Sequence, residues 1–183
     1  MKKIICYGDS NTFGFNPLNK TRYDENVRWS GLLGIFLKNQ FEIIEQGANN
    51  RTGFVDNFSG EFYSAQKHFP KMLNEYDDIE ILILAIGTND LQFIYNLNFN
   101  EIEKGLRNLL NIAKTKVKNI ILIPPVEISE NILNSYFKIQ FDENSIKKSK
   151  NVLNIYQKLA DEFKCHLFNF NSFTKPSLAD GLH

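Results

Sequence analysis

The chain has 183 residues, about the length of one domain, and its 43% hydrophobic and 23% charged residues are ordinary for a soluble globular protein. Its 21 Lys and Arg balance 21 Asp and Glu, which argues against nucleic acid or an anionic membrane as a partner, because both attract a basic excess. No apolar run reaches the length of a membrane span or a signal-peptide core, and the two cysteines fit free thiols, so the sequence predicts a cytoplasmic protein.

Short β-branched runs alternate with helical periodicity along the whole chain. The runs predict five strands: Lys3–Tyr7, Phe41–Glu45, Ile79–Ile86, Asn119–Ile123 and Cys165–Phe170. Apolar spacings of three and four predict helices over Val27–Asn39, Phe99–Lys116 and Asn144–Phe163, and a weaker helix over Phe62–Leu73 that Pro70 interrupts. This alternation predicts one α/β domain over residues 1–183, folded as a three-layer α/β/α sandwich around a mainly parallel five-stranded sheet.

Small and polar residues follow four of the predicted strands. Open parallel sheets bind ligands beyond the carboxyl ends of their strands, so these residues are the candidates for chemistry. The four clusters are Gly8–Thr12, Gly47–Gly53, Gly87–Asp90 and, some way after the fifth strand, Asp180–His183.

Ser10 is the candidate nucleophile. It stands at a strand-to-helix turn between Gly8 and Gly14, where the backbone can bend sharply and leave the hydroxyl exposed. The alternative interpretation of Asp9 and Ser10 is a helix N-cap.

The base that a nucleophilic serine needs is sought among three histidines. His183 follows Asp180 by three residues, so one turn brings the carboxylate to the imidazole and fixes its tautomer. His68 lies in the polar middle of a weak helix and His166 in a strand, and both are interpreted as structural.

Asn89 offers a side-chain amide at the end of the central strand, either to stabilise an oxyanion or to form an Asx-turn. The loop over residues 48–51 would present backbone N–H groups to the same crevice. Glycine-rich nucleotide loops and His/Cys clusters with metal-ligand spacing are lacking, so no cofactor and no metal are expected.

Together these motifs resemble the SGNH hydrolases, also called GDSL esterases and lipases. The resemblance rests on three blocks in the expected order: Tyr7–Ser10, Gly87–Asp90 and Asp180–His183. Four segments resemble the arylesterase and acyltransferase branch of that family: Lys3–Ser10, Val27–Gly31, Phe41–Gly47 and Arg51–Thr52.

The resemblance implies a serine esterase that hydrolyses short-chain acyl or aryl esters of small molecules through an acyl-enzyme, without metal or cofactor. Ser10 would be the nucleophile, His183 the general base and Asp180 its orienter. The implied fold is the SGNH hydrolase fold, with flavodoxin-like strand order 2-1-3-4-5.

The resemblance also implies an oxyanion hole made by the backbone N–H of Ser10, the side chain of Asn89 and one N–H from the second block. Alignment on Arg51 assigns that third N–H to Asn50, where the family usually has Gly, and leaves Gly47 as the turn after the second strand. Arg51 itself either pairs with the carboxylate of Asp9 or anchors its own loop.

The substrate is expected to contact residues that flank these groups. Asn11, Phe15 and Thr88 adjoin the nucleophile and the oxyanion donors, while Phe137 and Phe141 resemble the aromatic wall that covers the site in this branch. Core packing or an oligomer contact is the alternative role of these aromatic residues.

Three alternatives stay open at the level of function. The same site would serve a carbohydrate O-deacetylase or an acyltransferase. The alternative that is not an enzyme is a catalytically idle binding or assembly module. The branch implies a homo-oligomer. It also implies a helix after the last block, so the domain is expected to lack its C-terminal helix and His183 to be poorly held.

Overall fold

The computed structural model describes residues 1–183 and contains one parallel sheet of five strands. The strands are β1 Lys3–Gly8, β2 Glu42–Gly47, β3 Ile79–Ala85, β4 Asn119–Ile123 and β5 His166–Leu167. Their order is β2-β1-β3-β4-β5, and every neighbouring pair is parallel. The predicted α/β class and strand order are therefore confirmed.

Six α-helices connect and flank the strands. They are α1 Ser10–Phe13, α2 Trp29–Leu37, α3 Ala65–Asn74, α4 Phe99–Lys114, α5 Glu143–Ser149 and α6 Leu153–Phe163. Short 3-10 turns cover Glu61–Tyr63, Asn89–Leu91, Glu130–Asn134, Tyr136–Ile139 and Phe170–Ser172. The longest helix, α4, has 16 residues, and none of the helices combines the length and hydropathy that a bilayer span requires.

The two faces of the sheet carry unequal cores. Alternate side chains of β1 point to opposite faces, as strand geometry dictates, so Ile5 and Tyr7 join a large core with α3, α4 and α6. Ile4 and Cys6 join a cluster of only four fully buried residues, which packs against α2. Helices thus cover both faces, which gives the predicted three layers.

One predicted helix is wrong, because Asn144–Phe163 is divided into α5 and α6 by a turn over residues 150–152. The hydroxyl of Ser149 donates to the carbonyl of Ile146 (2.8 Å) and accepts the N–H of Ile128 (3.0 Å). A serine that bonds back to its own helix bends it, and the contact with Ile128 fixes the bend in place.

Two other boundaries also differ from the prediction. The fifth strand is limited to two residues, because the side chain of Asn169 accepts the N–H of Asn171 (3.1 Å) and starts a 3-10 turn. Pro70 lies inside α3 and does not end it, since buried Phe69 and Met72 hold that helix against the core.

Candidate active site

The site begins at the sharp turn between β1 and α1. Asp9 caps α1 by accepting the N–H of Asn11 (3.0 Å), and Gly14 ends the helix in the left-handed conformation. Gly8 is required by close packing, because an added Cβ would overlap the hydroxyl of Thr12 and the carbonyl of Ala85. The turn therefore places Ser10 at the carboxyl edge of the sheet, next to the end of β3.

A continuous chain of hydrogen bonds joins Ser10, His183 and Asp180. The hydroxyl of Ser10 donates to Nε2 of His183 (2.8 Å), and Nδ1–H of His183 donates to Oδ2 of Asp180 (2.6 Å). The other carboxylate oxygen of Asp180 accepts the backbone N–H groups of Leu182 (3.0 Å) and His183 (3.1 Å). This is the arrangement in which an imidazole can take a proton from a serine hydroxyl.

Asp180 is buried yet remains an effective anion. Burial by itself would raise the pKa of its carboxyl, but the hydrogen bonds from His183 and from the N–H of Leu182 hold that pKa below its ordinary value of 3.8. An ionised carboxylate at Nδ1 keeps the imidazole in the tautomer whose Nε2 accepts from Ser10.

His183 is held more firmly than expected of a terminal residue. Its carbonyl accepts the N–H of Ser177 (2.5 Å), and the side chain is only 5% exposed. The rings of Phe15 and Phe137 lie 4.6 Å and 5.4 Å from the imidazole, centroid to centroid. The other two histidines lie elsewhere: Nδ1 of His68 contacts the hydroxyl of Tyr7 (3.2 Å), and His166 is on β5.

The predicted substrate contacts divide into three groups. Phe15 and Phe137 flank the imidazole, as a wall of the cleft would. Asn11 and Thr88 line a gap of about 20 Å³ that also includes Asp9, which is the space of about one water molecule and too small for an acyl chain. The prediction that Phe141 contacts the substrate is corrected: its side chain points inward from its loop, is 1% exposed and packs in the large core, which is the alternative role predicted for it.

The three N–H groups predicted for the oxyanion hole have no acceptor within the protein. The backbone N–H groups of Ser10 and Asn50 donate to no acceptor within the protein. Nδ2 of Asn89 gives one N–H to the carbonyl of Arg51 (3.0 Å), which leaves its second N–H free. Asn50 has φ 60°, a left-handed conformation that Gly and Asn tolerate, while Gly47 is the last residue of β2.

Arg51 anchors the loop that carries Asn50. Its guanidinium is completely buried and lies between the rings of Tyr7 (4.5 Å) and Phe62 (5.0 Å). Nη1 donates to the carbonyls of Gly8 (3.2 Å) and Gln46 (2.5 Å), and Arg51 makes no ion pair with Asp9. Of the two roles predicted for Arg51, the loop anchor matches the structure.

Sequence reasoning gave no role to two buried residues: Asp90, at the end of the third block, and Gln92, just after it. The carboxylate of Asp90 accepts the N–H groups of Gly53 (2.6 Å) and Phe54 (2.7 Å) and so ties the second block to the third. The amide of Gln92 contacts the side chains of both Asn50 and Asn89. The available signal was spacing, since Gln92 follows Asn89 by three residues on one helical turn.

The buried carboxyl of Asp90 makes stability depend on pH. Burial raises its pKa from the ordinary 3.8 to about 7, the N–H groups of Gly53 and Phe54 oppose this rise, and the nearby Asp9 adds to it. Between about pH 4 and 7 Asp90 thus keeps a proton in the folded chain that it releases in the unfolded chain, so its contribution to the free energy of unfolding falls as pH rises through this window.

We expect Asp90→Asn to remove that pH dependence. As pH rises from 4 to 7, the wild type should lose about 1.4 kcal/mol of unfolding free energy per pH unit relative to the variant. Urea unfolding at several pH values measures the unfolding free energy of both proteins. If that free energy changed with pH by the same amount in the variant and the wild type, the prediction would be contradicted. Asp161→Asn, at an exposed position on α6, is the control.

Comparisons with known proteins show which family the chain belongs to. Residues 4–183 match the family described as GDSL-like lipase/acylhydrolase, whereas no curated protein matches the sequence. A carbohydrate acetylesterase family member from Sinorhizobium meliloti is 26% identical, with TM-score 0.90 over 100% of this chain and 89% of that one. The native aryl esterase of M. smegmatis is 25% identical, with TM-score 0.90 over 100% of this chain and 90% of that one.

A more distant structure shares the fold. AlinE4, an SGNH-hydrolase family esterase, is 19% identical and aligns with TM-score 0.64 over 91% of this chain and 74% of that one. The family match extends over nearly the whole chain and includes all three blocks from which the resemblance was drawn. This chain therefore belongs to the GDSL-like lipase/acylhydrolase family, the SGNH hydrolases, and is a carboxylic ester hydrolase.

Proposed function

We propose that this chain hydrolyses short-chain acyl or aryl esters through an acyl-enzyme on Ser10. The observation that carries the proposal is the unbroken hydrogen-bond chain from the Ser10 hydroxyl through His183 to Asp180. Each link is between 2.6 and 2.8 Å, within reach for proton transfer.

In the proposed reaction, Oγ of Ser10 attacks the ester carbonyl carbon while its proton moves to Nε2 of His183. The tetrahedral intermediate then collapses, the bond to the alcohol oxygen breaks, and His183 returns the proton to the departing alcohol. Water repeats the sequence on the acyl-enzyme: His183 takes a proton from water, the hydroxide attacks, and the acid leaves as Ser10 is reprotonated. Asp180 stabilises the imidazolium that forms in both halves.

The oxyanion of each intermediate is assigned to the backbone N–H groups of Ser10 and Asn50 and the side chain of Asn89. Support comes from their unused hydrogen-bonding capacity, because donors without a partner in the resting protein need no rearrangement to receive the developing charge. Phe15 and Phe137 are assigned to the wall of the acyl site, with Asn11 and Thr88 beside it.

Asn89→Ala is expected to lower kcat for p-nitrophenyl acetate about a hundredfold, because one side-chain donor to the oxyanion is lost. KM should change little, since the donor acts mainly on the charge that develops after binding. Steady-state kinetics measures both constants, with Asn111→Ala, at an exposed position on α4, as the matched control. Unchanged turnover would remove Asn89 from the proposed oxyanion hole.

A carbohydrate O-deacetylase is the second candidate, favoured by the similarity to the Sinorhizobium meliloti carbohydrate acetylesterase family member. It would use the same residues on an acetylated sugar. Parallel assays on acetylated sugars and on simple aryl esters separate the two, and an added alcohol acceptor reveals acyl transfer. The substrate with the higher kcat/KM decides between the candidates.

A further inference from the structure

Gln92 is a buried residue that the proposed reaction does not use, and both N–H groups of its side-chain amide are occupied. Nε2 donates to Oδ1 of Asn50 (3.1 Å) and to Oδ1 of Asn89 (3.0 Å). The side chain is nearly inaccessible, with Gln92 only 5% exposed. One amide therefore bridges two residues that come from different blocks and are separated by 39 positions in the sequence.

The bridge determines which way the amide of Asn89 faces. Oδ1 of Asn89 accepts from Gln92, and Nδ2 donates one N–H to the carbonyl of Arg51 (3.0 Å). A flip of the amide would set oxygen against the Arg51 carbonyl and nitrogen against the Gln92 nitrogen, so both contacts would become repulsive. The free N–H of Asn89 thus has one fixed direction.

The same bridge holds the turn at Asn50. Its carbonyl accepts Nδ2 of Asn57 (2.6 Å), and its side-chain oxygen accepts from Gln92. These two contacts fix a residue whose left-handed backbone is otherwise sparsely populated by L-amino acids. A glycine here would adopt the same backbone conformation but could not form the contact with Gln92.

The backbone of Gln92 has a separate role that any residue could fill. Its N–H donates to the carbonyl of Asn89 (3.3 Å), and its carbonyl accepts the N–H of Tyr95 (3.2 Å). A substitution that preserves side-chain length can therefore remove the bridge and leave the turn in place.

We propose that Gln92 is a positioning residue that holds the N–H donors of Asn50 and Asn89 in the geometry of the oxyanion hole. It touches no reacting atom and acts only through these two residues. The inference rests on the proposed function, because it presumes that both donors face the oxyanion.

The test compares Gln92→Met, which keeps the length of the side chain, with Gln92→Glu, which sets acceptor oxygens against two carbonyl oxygens. For p-nitrophenyl acetate, kcat should fall about tenfold in Gln92→Met and about a hundredfold in Gln92→Glu, with KM within about twofold of wild type. Gln46→Met is the control, since its amide contacts only the hydroxyl of Tyr76 (3.1 Å) and should leave kcat unchanged.

Asn50→Gly breaks the bridge from the other side and keeps the test decisive if a Gln92 variant fails to fold by circular dichroism. It should lower kcat about threefold, and adding Gln92→Met should then cost less than it does in the wild-type background. Wild-type kcat in Asn50→Gly, or strict additivity of the two changes, would overturn the inference.

The kinetics of Asn89→Ala distinguish a failure of the role proposed for Gln92 from a failure of the proposed oxyanion hole. If that variant is impaired while both Gln92 variants retain kcat within twofold of wild type, Gln92 does not position the donors and the proposed function stands. If Asn89→Ala turns over like the wild type, the oxyanion assignment fails, and the role of Gln92 fails with it.

Discussion

Ser10→Ala is expected to reduce the hydrolysis of p-nitrophenyl acetate by about 10⁴-fold or more, because no other group in the site can form the acyl-enzyme. The hydroxyl of Ser10 forms the hydrogen bond with His183, so the variant removes the nucleophile and spares the backbone N–H. The residual turnover should come from direct attack of water on an ester whose oxyanion the remaining donors stabilise. Initial rates under saturating substrate measure the loss.

The control for this prediction is Ser172→Ala, which changes an exposed serine at the end of a 3-10 turn. Wild-type rates in that control, together with an unchanged circular dichroism spectrum of Ser10→Ala, would assign the loss to chemistry. Turnover of Ser10→Ala within tenfold of wild type would mean that another group is the nucleophile.

Asp180→Asn should lower kcat by about 10⁴-fold, although it changes only one atom of the side chain. The carbonyl oxygen of the new amide would accept the N–H groups of Leu182 and His183, as Oδ1 of Asp180 does. Its NH₂ group would then face Nδ1 of His183 and donate to it. The imidazole would have to carry its proton on Nε2, where it could no longer accept the proton of Ser10.

Steady-state kinetics of Asp180→Asn beside Asp161→Asn measures this effect, since the second variant changes an exposed carboxylate on α6. KM should stay near its wild-type value, because the tautomer matters to proton transfer and not to binding. A loss of less than about tenfold would show that His183 keeps its tautomer without Asp180.

Most of the fold could be predicted from periodicity. Four strands were available in this way, because most of β3 (Ile81–Ala85) and most of β4 (Ile120–Ile123) are continuously apolar and buried between helical layers. The order of the five strands came from the family resemblance. The boundaries that failed depend on single polar side chains. Ser149 divides the last predicted helix and Asn169 shortens the fifth strand, and both act through hydrogen bonds to residues that periodicity does not reveal.

The candidate site residues that could be predicted are those that follow the ends of strands. Ser10, Asn89 and the pair Asp180 and His183 all follow strands, and a parallel sheet brings such residues to one edge. For Gln92, the spacing from Asn89 could indicate one of its two contacts, but the contact with Asn50 could not be predicted, because it depends on how two loops approach each other.

Other residues were ambiguous for a related reason. Phe137 and Phe141 belong to the same short aromatic stretch, yet only Phe137 reaches the imidazole, while Phe141 fills the core. Side-chain direction in such a segment follows from tertiary packing, which a single sequence does not encode as a repeat.

The most direct test of the central claim is covalent labelling of the chain by a p-nitrophenyl phosphonate ester, followed by intact and peptide mass measurement. The reagent reports the nucleophile itself, because the serine oxygen attacks phosphorus and p-nitrophenolate leaves. We predict one adduct per chain, located on Ser10, with none in Ser10→Ala and much slower labelling in His183→Ala. An unlabelled chain, or an adduct on another residue, would contradict the assignment of Ser10 as nucleophile and favour an idle module or a different site.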